Sequence, residues 1–385
     1  MTCWHCGVGL LAVFLLGFAL EAQDPPATPA PVAKPALPAE TLVMPTQDIY
    51  PQEVLNGEFV SCVSKPFDDP ALSFQITSRK TWKWETLSVR VKESDVDFLP
   101  IAIVHGPDAG GVAVTLQAGY RIVEREVAVE DYLQAYAEGL GYQILKEQWG
   151  TYSDRRVYEI LARTDLGGVD CLVRMALSRD HNRFFLVCGF STASEYLNFA
   201  KEIGVALVSF HLLQPSGKQY SEEMIEQRFD APKLSFLCPK SWLLKPAKNA
   251  PEGIAVCDLS HGSEEVGIVG WIRVKIHSRT VYPDFCAPEY LSSFREELAD
   301  LKYLADVPIF NAPIEPVGKF LQGGRYIIMP ATRDGKVSEI RLVILPTKDS
   351  WLVLSLLSPP RDRGPVEWMI NKRAFEIVRD TLAPE

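Results

Sequence analysis

The stretch KLSFLCPKSWLLKP, Lys233–Pro246, repeats the pattern of ALSFQITSRKTWKW, Ala71–Trp84. In each stretch the triplet Leu-Ser-Phe opens a short run of apolar residues, and a tryptophan follows. A short apolar run bounded by turn residues is typical of a core strand. The repetition therefore predicts that the chain contains the same first strand, and with it the same fold, twice.

The correspondence continues through three later elements. Each half contains an amphipathic helix with apolar residues at helical spacing, then a core strand, then a closing helix. The matching segments are Tyr132–Leu140 with Tyr290–Leu298, Phe185–Val187 with Trp351–Val353, and Glu195–Phe210 with Glu367–Leu382. Elements that recur in the same order predict a tandem duplication, in which the loops differ in length while the core is kept.

The composition and charge limit the classes of function. The chain has 385 residues, of which 47% are hydrophobic and 23% are charged, as in folded globular proteins. This length predicts two domains of ordinary size. The net charge is −10, and no run of five or more basic residues occurs. Because nucleic-acid binding needs clustered Lys and Arg that neutralise phosphates, no nucleic-acid partner is expected.

The amino terminus carries an uninterrupted apolar run, Gly7–Leu20, followed by Glu21 and Ala22. The run is shorter than the roughly 20 residues of a membrane-spanning helix and fits the core of a signal peptide. Residues 1–22 are therefore predicted to be a signal peptide, and the protein to be exported to the periplasm or the cell exterior. No Lys or Arg precedes the run, so the alternative is an uncleaved segment that keeps the protein near the membrane.

Four further segments follow the predicted signal. Residues 23–60 are expected to be a Pro/Ala-rich, extended tether, because proline and alanine dominate up to Pro45 and show no apolar periodicity. A first domain is expected at residues 61–213 and a second at 234–385. Residues 214–233 are predicted to be a linker with a short helix at Ser221–Phe229, in which Ser221 is the N-cap.

The order of elements in each copy resembles the PsbP-like fold. That fold is shared by the PsbP proteins of photosystem II, Ran-binding Mog-type proteins and DcrB-type bacterial envelope proteins. The resemblance is carried by Phe74 with Trp82, by Phe236 with Trp242, and by the paired helices given above. With an export signal, it is nearest to the DcrB-type envelope proteins.

The resemblance implies an α+β chain of two tandem PsbP-like domains. Each would be an antiparallel β-sheet with helices packed on both faces, an α/β/α sandwich. The matching residues are packing positions, so the resemblance carries over no catalytic residue and suggests binding.

No motif for catalysis, cofactor binding or metal binding is found in the sequence. It contains neither GxxxxGK[ST] nor GxGxxG for phosphates, and no GxSxG for an acyl-transfer serine. The histidines beyond the predicted signal form no HxH or HExxH pattern; they are His105, His181, His211, His261 and His277. We therefore expect no catalytic residue, no cofactor and no metal. At strand spacing, Trp82, Trp84, Trp149 and Trp271 are expected in the core more than in a ligand cleft.

The cysteines beyond the predicted signal lie mostly in sequence segments with the apolar pattern of a strand, where a free thiol packs as a small hydrophobic group. An exported protein is permitted to form disulfides. Cys238 and Cys257 are the best candidates for one, since consecutive strands could place them side by side. Cys171 and Cys188 lie on the same face of a hairpin that turns at Arg179–Asn182, but at diagonal positions.

Three functions remain open at this point. The first is an exported, non-catalytic binding or assembly protein of the cell envelope that acts through protein–protein contacts. The second is a periplasmic carrier or chaperone with an apolar groove for a lipid or a hydrophobic peptide. The third is an enzyme with an unfamiliar site. The partner is therefore either an envelope protein or a hydrophobic ligand.

Overall fold

The structure is a computed structural model that describes residues 37–38, 42–85, 97–109, 111–230, 233–246, 251–263, 267–282, 287–315 and 320–384. The predicted signal peptide and the first part of the predicted tether lie outside the described residues. The chain divides into two compact units: Met1–Val123 with Val129–Ser221, and Glu124–Ala128 with Glu222–Glu385. Both are α+β and mostly antiparallel, as predicted. No helix among the described residues is long and apolar enough to cross a membrane.

The described part of the first unit contains three helices and ten strands. The helices are α1 (Gln52–Glu58), α2 (Val129–Gly139) and α3 (Tyr196–Ser209), with short 3-10 turns at Pro66–Asp68 and Pro70–Leu72. The strands are β1 (Phe59–Ser64), β2 (Phe74–Arg79), β3 (Lys83–Glu85), β4 (Leu99–Ala109), β5 (Val112–Ile122), β6 (Gln143–Tyr152), β7 (Arg155–Leu166), β8 (Val169–Asp180), β9 (Arg183–Thr192) and β10 (His211–Leu212). Seven of them form one antiparallel sheet in the order β3-β4-β5-β9-β8-β7-β6, and β1-β2-β10 form a second, smaller sheet.

Two helices of the first unit lie near adjacent residues of β9 in its large sheet. Phe184 of β9 packs edge-on against Tyr132 of α2, with ring centroids 4.9 Å apart. Its neighbour Phe185 packs against Phe210, which directly follows α3, at 6.2 Å. Because consecutive side chains of a strand point to opposite faces, α2 and α3 lie on opposite sides of β9.

The described part of the second unit contains two helices and eleven strands. The helices are α4 (Ala287–Asp300) and α5 (Pro365–Thr381). The strands are β11 (Met224–Asp230), β12 (Lys233–Pro239), β13 (Leu243–Pro246), β14 (Ile254–Ser263), β15 (Gly267–Ser278), β16 (Leu304–Ala305), β17 (Phe310–Ile314), β18 (Gly324–Arg333), β19 (Lys336–Pro346), β20 (Ser350–Ser358) and β21 (Ala383–Pro384). The large sheet has the order β13-β14-β15-β20-β19-β18-β16, with β17 also paired to β18, and β11-β12-β21 form the small sheet.

Consecutive side chains of the central strands in the second unit point alternately into two separate hydrophobic cores. Val343 and Leu345 of β19 pack with Phe375 of α5, together with Phe236 and Trp242 of the opening stretch. Leu342 and Ile344 of the same strand pack with Phe294 of α4. This period of two is the one expected for a sheet that is buried on both faces.

The predicted linker helix at Ser221–Phe229 is wrong. Met224–Asp230 is instead a strand, β11, that pairs antiparallel with β12 along its whole length, with Ile225 opposite Cys238. Ile225 and Phe229 pack against the core formed with α5. The spacing of these two residues fits one helical turn as well as the period of a strand, and pairing to β12 decides between them.

The predicted tether also ends earlier than expected. Residues 42–58, which we call the strap, pack onto the first unit although the prediction extended the tether to residue 60. Met44 is buried in the core with α3, and α1 then leads into β1. The Val43 carbonyl accepts a hydrogen bond from the Tyr196 hydroxyl at 3.0 Å. The high proline content upstream obscured these anchoring residues.

The strap lies against α3 because that helix contains a glycine. A Cβ atom at Gly204 would lie 2.7 Å from the Pro45 carbonyl oxygen, closer than real Cβ contacts. Glycine weakens a helix interior by about 1 kcal/mol relative to alanine. Its presence in α3 is explained by this close approach of the strap backbone.

A buried ion pair joins the strap to the centre of the first sheet. Arg174 of β8 and Glu159 of β7 both have fully buried side chains, at 0% exposure. Arg174 Nη2 and Nε donate to Glu159 Oε2 at 2.7 and 3.1 Å. Arg174 Nη1 donates to the Pro45 carbonyl at 2.8 Å. The guanidinium therefore depends on both β7 and the strap for its acceptors.

Candidate functional site

The first unit contains an open cleft of about 720 Å³ beside the turn that joins β2 to β3. Trp82 and Phe199 supply its apolar walls, and Arg79, Lys83, His105 and Glu202 supply charged or polar groups. Gly106 in β4 makes room for the tryptophan, since a Cβ there would lie 2.8 Å from Trp82 Cε2. We call this the Trp82 cleft.

An ion-pair network forms one wall of the Trp82 cleft. Arg79 Nε and Nη2 donate to Glu202 Oε1 at 2.9 and 2.7 Å, and the Tyr50 hydroxyl donates to the same oxygen at 2.8 Å. Arg79 Nη1 also donates to Glu58. Burial alone would lower the pKa of Arg79, but its hydrogen bonds to Glu202, Tyr50 and Glu58 outweigh burial and raise it. Arg79 is thus a fixed cation that closes the strap onto α3, because its donors are already used.

The Trp82 cleft also contains a histidine that lies beside a carboxylate. His105 Nε2 lies 3.1 Å from Glu85 Oε2, and both side chains are substantially exposed. Covalent catalysis needs a nucleophile within hydrogen-bond reach of a base. Among the described residues, the hydroxyl that donates to Glu202 is that of Tyr50, which does not line the cleft. The arrangement is suited to binding.

The first unit also contains a small apolar cavity beneath α2. Tyr136, Leu140, Met175, Cys188 and Phe190 contribute to its lining, and its interior volume is about 20 Å³. That volume admits roughly one water molecule. Burial raises the pKa of the Cys188 thiol to about 12, so this thiol is inert as a nucleophile at neutral pH. The cavity is too small for an acyl chain or a peptide.

The second unit exposes apolar side chains along one edge of its large sheet. The exposed fractions are 71% for Leu304, 77% for Val307, 73% for Ile309 and 46% for Phe310. Among the described strands, β16 and β17 pair only with β18, so they form the border of the sheet. We call these four residues the apolar edge.

Backbone hydrogen bonds keep the apolar edge in line with the sheet between β16 and β17. The Asp306 amide donates to the Pro330 carbonyl at 3.0 Å, and the Ile309 amide donates to the Ile328 carbonyl at 2.9 Å. The segment is therefore an interrupted edge strand, with Pro308 in its middle. The apolar side chains are held outward by an ordered backbone.

The corresponding border of the first sheet is chemically different. Its outer strand, β6, carries exposed Lys146 and Glu147. Charged side chains on an edge strand discourage pairing with other chains. In the second unit, the exposed side chains of Leu304, Val307 and Ile309 lie on the border with Asp306 and Pro308 between them.

The structure contains both cysteines of the predicted disulfide as free thiols. Cys238 lies in β12 and Cys257 in β14, so they belong to two different sheets and not to consecutive strands of one. Both are buried in the same core. Burial first, then Asp258 and Cys238, raise the pKa of Cys257 to about 12. The bond between them stays a prediction.

Two of the histidines that the sequence contains lie in different local environments. Among the residues that the structure describes, no group of three or more His, Cys, Asp or Glu side chains could hold a metal ion. His181 occupies the turn between β8 and β9 with φ 56°, and its Nδ1 lies 2.8 Å from the Tyr220 carbonyl. His261 stacks on Trp242 at 5.5 Å. Each of these is accounted for by local packing.

His277 of β15 is expected to make the second unit sensitive to acid. Burial, and then Lys275, lower its pKa to about 4, while Glu297 acts in the opposite direction. Because the pKa is lower in the folded state than in the unfolded one, neutral His277 favours folding above about pH 6.5 and loses this contribution as the pH falls towards 4. The expected loss between about pH 7 and pH 5 is about 2 kcal/mol.

The prediction is tested by urea unfolding of wild type and His277→Phe at the two pH values. The ring environment of Tyr282 and Tyr290 suits phenylalanine, with centroids 5.5 and 5.7 Å from His277. The variant should lose about 2 kcal/mol less than wild type on acidification. An equal loss in both proteins would show that other groups control the acid response.

The tryptophans partly follow the expectation of core packing. Trp82 is 6% exposed and belongs to the core, yet it also lines the cleft. Trp149 is 40% exposed and stacks under Arg156, whose Cζ lies 4.0 Å from the ring centroid. Trp271 lies under Arg273 at 4.3 Å.

The residues with the greatest functional interest were not singled out by the sequence. Arg79 and Glu202 lie far apart in the chain, and only the fold brings them together. The apolar edge had a visible signal, because Leu304, Val307, Ile309 and Phe310 follow one another among charged residues and prolines.

No protein-family model matches this chain, and no curated protein matches it. Solved structures do match. Cyanobacterial PsbP from Synechocystis sp. PCC 6803 is 14% identical with a TM-score of 0.33, and the match covers 45% of this chain and 99% of that one. LpqN, involved in cell envelope biogenesis of Mycobacterium tuberculosis, is 12% identical with a TM-score of 0.30 over 41% of this chain and 93% of its own.

A third match is the immunity protein TplEi of the T6SS from Pseudomonas aeruginosa. It is 12% identical with a TM-score of 0.23, and the match covers 75% of this chain and 94% of that one. Scores at this level carry no argument about function. The matches include a PsbP protein, as the predicted resemblance to the PsbP-like fold implies, while the nearer resemblance to DcrB-type envelope proteins stays a prediction.

Proposed function

We propose that this protein is an exported, non-catalytic binding protein of the cell envelope that holds a partner protein at its apolar edge. The observation that carries the proposal is the exposure of Leu304, Val307 and Ile309, each above 70%, on one ordered sheet border. Single exposed apolar residues are common on protein surfaces, but neighbouring ones on one edge are typical of interaction sites.

The border has the two features of a strand-addition site, which are backbone groups at a sheet edge and side chains that contact the added strand. An edge strand presents backbone donors and acceptors to a further strand, and its side chains give specificity. We infer that the occupant is an extended apolar segment of another protein. Such a segment would remove the side chains of the apolar edge from water, at about 25 cal/mol per Å² of apolar area.

A comparison between the two units supports this location. The two large sheets have corresponding strand orders, and we infer that the units are copies of one domain. A difference between copies then indicates where a specific function lies. The border strand carries exposed Lys146 and Glu147 in the first unit, whereas the border of the second carries exposed Leu304, Val307 and Ile309 together with one charged residue, Asp306.

The other candidate functions receive less support. A carrier for lipid or hydrophobic peptide needs an apolar groove of several hundred Å³. The apolar cavity beneath α2 holds about 20 Å³, and the larger Trp82 cleft has a charged wall. Export rests on the predicted signal peptide, which lies outside the described residues.

The proposal is tested by photo-crosslinking in cells that contain the full-length protein. A photo-reactive residue at Val307 should crosslink to a partner, and the same residue at Leu243 should not. Leu243 is a matched control because it is 65% exposed on β13, at the opposite border of the same sheet. Mass spectrometry of the product would identify the partner segment.

A second variant set measures the contribution of the side chains. Replacing Leu304, Val307 and Ile309 by serine should weaken partner binding at least about tenfold, because apolar anchors dominate binding energy. Leu243→Ser with Leu244→Ser should leave it unchanged. Both sets are on the surface and should alter stability by no more than about 0.5 kcal/mol per site. Equal binding by both sets, or a crosslink at Leu243 alone, would contradict the proposal.

A further inference from the structure

The first residues of the strap lie against the first unit in the way that a bound peptide lies against a receptor. Three side chains, from β6, α3 and β8, donate hydrogen bonds to carbonyl groups of residues 42–45. The pairs are Lys146 Nζ with the Leu42 carbonyl at 3.4 Å, the Tyr196 hydroxyl with the Val43 carbonyl at 3.0 Å, and Arg174 Nη1 with the Pro45 carbonyl at 2.8 Å. We call the surface formed by these three donors and Gly204 the strap groove.

One side chain of this segment is its apolar anchor. Met44 is 7% exposed and lies in the hydrophobic core of the first unit, whereas its neighbour Val43 is 37% exposed. Pro45 follows directly; it favours an extended backbone at Met44 and has no amide that would need a partner. Hydrogen bonds to backbone carbonyls do not depend on the side chains of the segment, so Met44 and Pro45 supply the specificity. The strap groove therefore fits an extended segment in which an unbranched apolar residue precedes a proline.

The strap groove is not a requirement of this fold. The closing helix of the second unit, α5, matches α3 in sequence but differs at two groove positions. The replacements are Trp368 for Tyr196 and Glu376 for Gly204. Trp368 donates its indole N–H to Glu339 of its own unit at 3.1 Å, and Glu376 forms an ion pair within α5. These positions of α5 complete their contacts without an extended segment, so the groove is an additional feature of the first unit.

The segment in the strap groove is held from one side only. Among the described residues, no backbone amide of residues 42–46 donates a hydrogen bond, and the segment pairs with no strand. Segments with few backbone hydrogen bonds open at a lower free energy than the strands of a sheet. The segment can therefore leave the groove while the sheets of the first unit stay folded.

We propose that the strap groove is a peptide-recognition site that the strap occupies as an autoinhibitory segment, and that an extended segment of a partner protein, with methionine before proline, takes its place. The tethered strap competes with this partner at an effective concentration of roughly millimolar order. It keeps weak ligands out and is displaced by a partner segment that binds tightly or is held close by. The site lies in the first unit and does not depend on the apolar edge of the second.

The test measures the binding of a fluorescent peptide with the sequence of residues 42–46, LVMPT, to the full-length protein by fluorescence polarisation. In the Met44→Ser variant the strap loses its apolar anchor, while the groove keeps all of its own side chains. This variant should bind the peptide at least about tenfold more tightly than wild type, in which the intact strap competes. A peptide with serine in place of methionine should bind neither protein, because it has no side chain for the core.

Two further changes, made in the Met44→Ser protein, locate the binding. Tyr196→Phe removes the donor to the second carbonyl of the segment and should weaken peptide binding about two- to tenfold. Tyr158→Phe is the matched control, because its hydroxyl donates to Glu147 and accepts a hydrogen bond from α2. Its loss should leave peptide binding unchanged. The serine variant of the apolar edge should also bind the peptide as its parent does, which separates the two sites.

The proposal is overturned if Met44→Ser shows no saturable binding of the peptide, or if it binds the serine peptide equally well. It is also overturned if wild type forms a dimer that the peptide dissociates, since the occupant would then be the strap of a second copy. If Met44→Ser does not fold, wild type is mixed with roughly millimolar peptide that carries a photo-reactive methionine analogue. Crosslinks to α3 would support the proposal, and their absence would overturn it.

Discussion

Replacing Arg174 by methionine is expected to lower the free energy of unfolding of the first unit by about 3–5 kcal/mol. The change leaves the Glu159 carboxylate fully buried without its cation, and removes the donor to the Pro45 carbonyl. Most of the loss reflects the cost of an uncompensated buried charge, since the attraction within a buried pair roughly balances its desolvation. Chemical unfolding of wild type and variant at neutral pH measures the difference.

A double variant separates charge from packing in this pair. Arg174→Met combined with Glu159→Leu removes both charges, and it should recover most of the stability that the single change loses. The coupling between the two sites then exceeds about 1 kcal/mol, as is usual for residues in direct contact. A double variant no more stable than Arg174→Met alone would show that packing or the contact with the strap matters more than the charge.

Replacing Gly270 by alanine is expected to destabilise the second unit by about 2–4 kcal/mol. A Cβ at this position in β15 would lie 2.1 Å from Asn371 Oδ1 and 2.5 Å from its Cγ. Asn371 of α5 is fully buried, and its Nδ2 donates to the Val269 carbonyl and to Ser358 Oγ, both at 3.0 Å. The new methyl group would force the amide away from both acceptors. Thermal or urea unfolding of the variant gives the magnitude.

Gly57→Ala is the matched control for this change. Gly57 lies in α1, and a Cβ atom there would have no described atom within 4 Å beyond its own helix. Alanine favours a helix over glycine, so the control should be neutral or stabilising by up to about 1 kcal/mol. The double variant Gly270→Ala/Asn371→Ala should lose less free energy of unfolding than the sum of the losses of the two single variants. If the two losses simply add, the steric overlap between the new methyl group and Asn371 is relieved by movement of other residues.

Much of the architecture could be predicted because the core residues follow clear periods. The helices α2, α3, α4 and α5, and the hairpin at His181, lie where the sequence patterns placed them. The β11 segment was misassigned because two apolar residues four positions apart fit both periods. Which one forms depends on the neighbouring strand β12, which is a tertiary contact.

The candidate sites were less accessible to prediction for a different physical reason. The contact of Arg79 with Glu202 spans 123 positions, and that of Arg174 with Pro45 spans 129. No local pattern marks such partners. The apolar edge is the exception, because its four residues all lie within the short segment Leu304–Phe310 of the sequence.

The attachment of the strap determines how mechanical force would pass through the first unit. A pull on the chain upstream of Leu42 would load the contacts of Val43 with Tyr196 and of Pro45 with Arg174. These contacts connect to α3 and to a central strand. The load would therefore be shared by the core before it reached the border strand β1, whose pairing to β2 could otherwise open one hydrogen bond at a time.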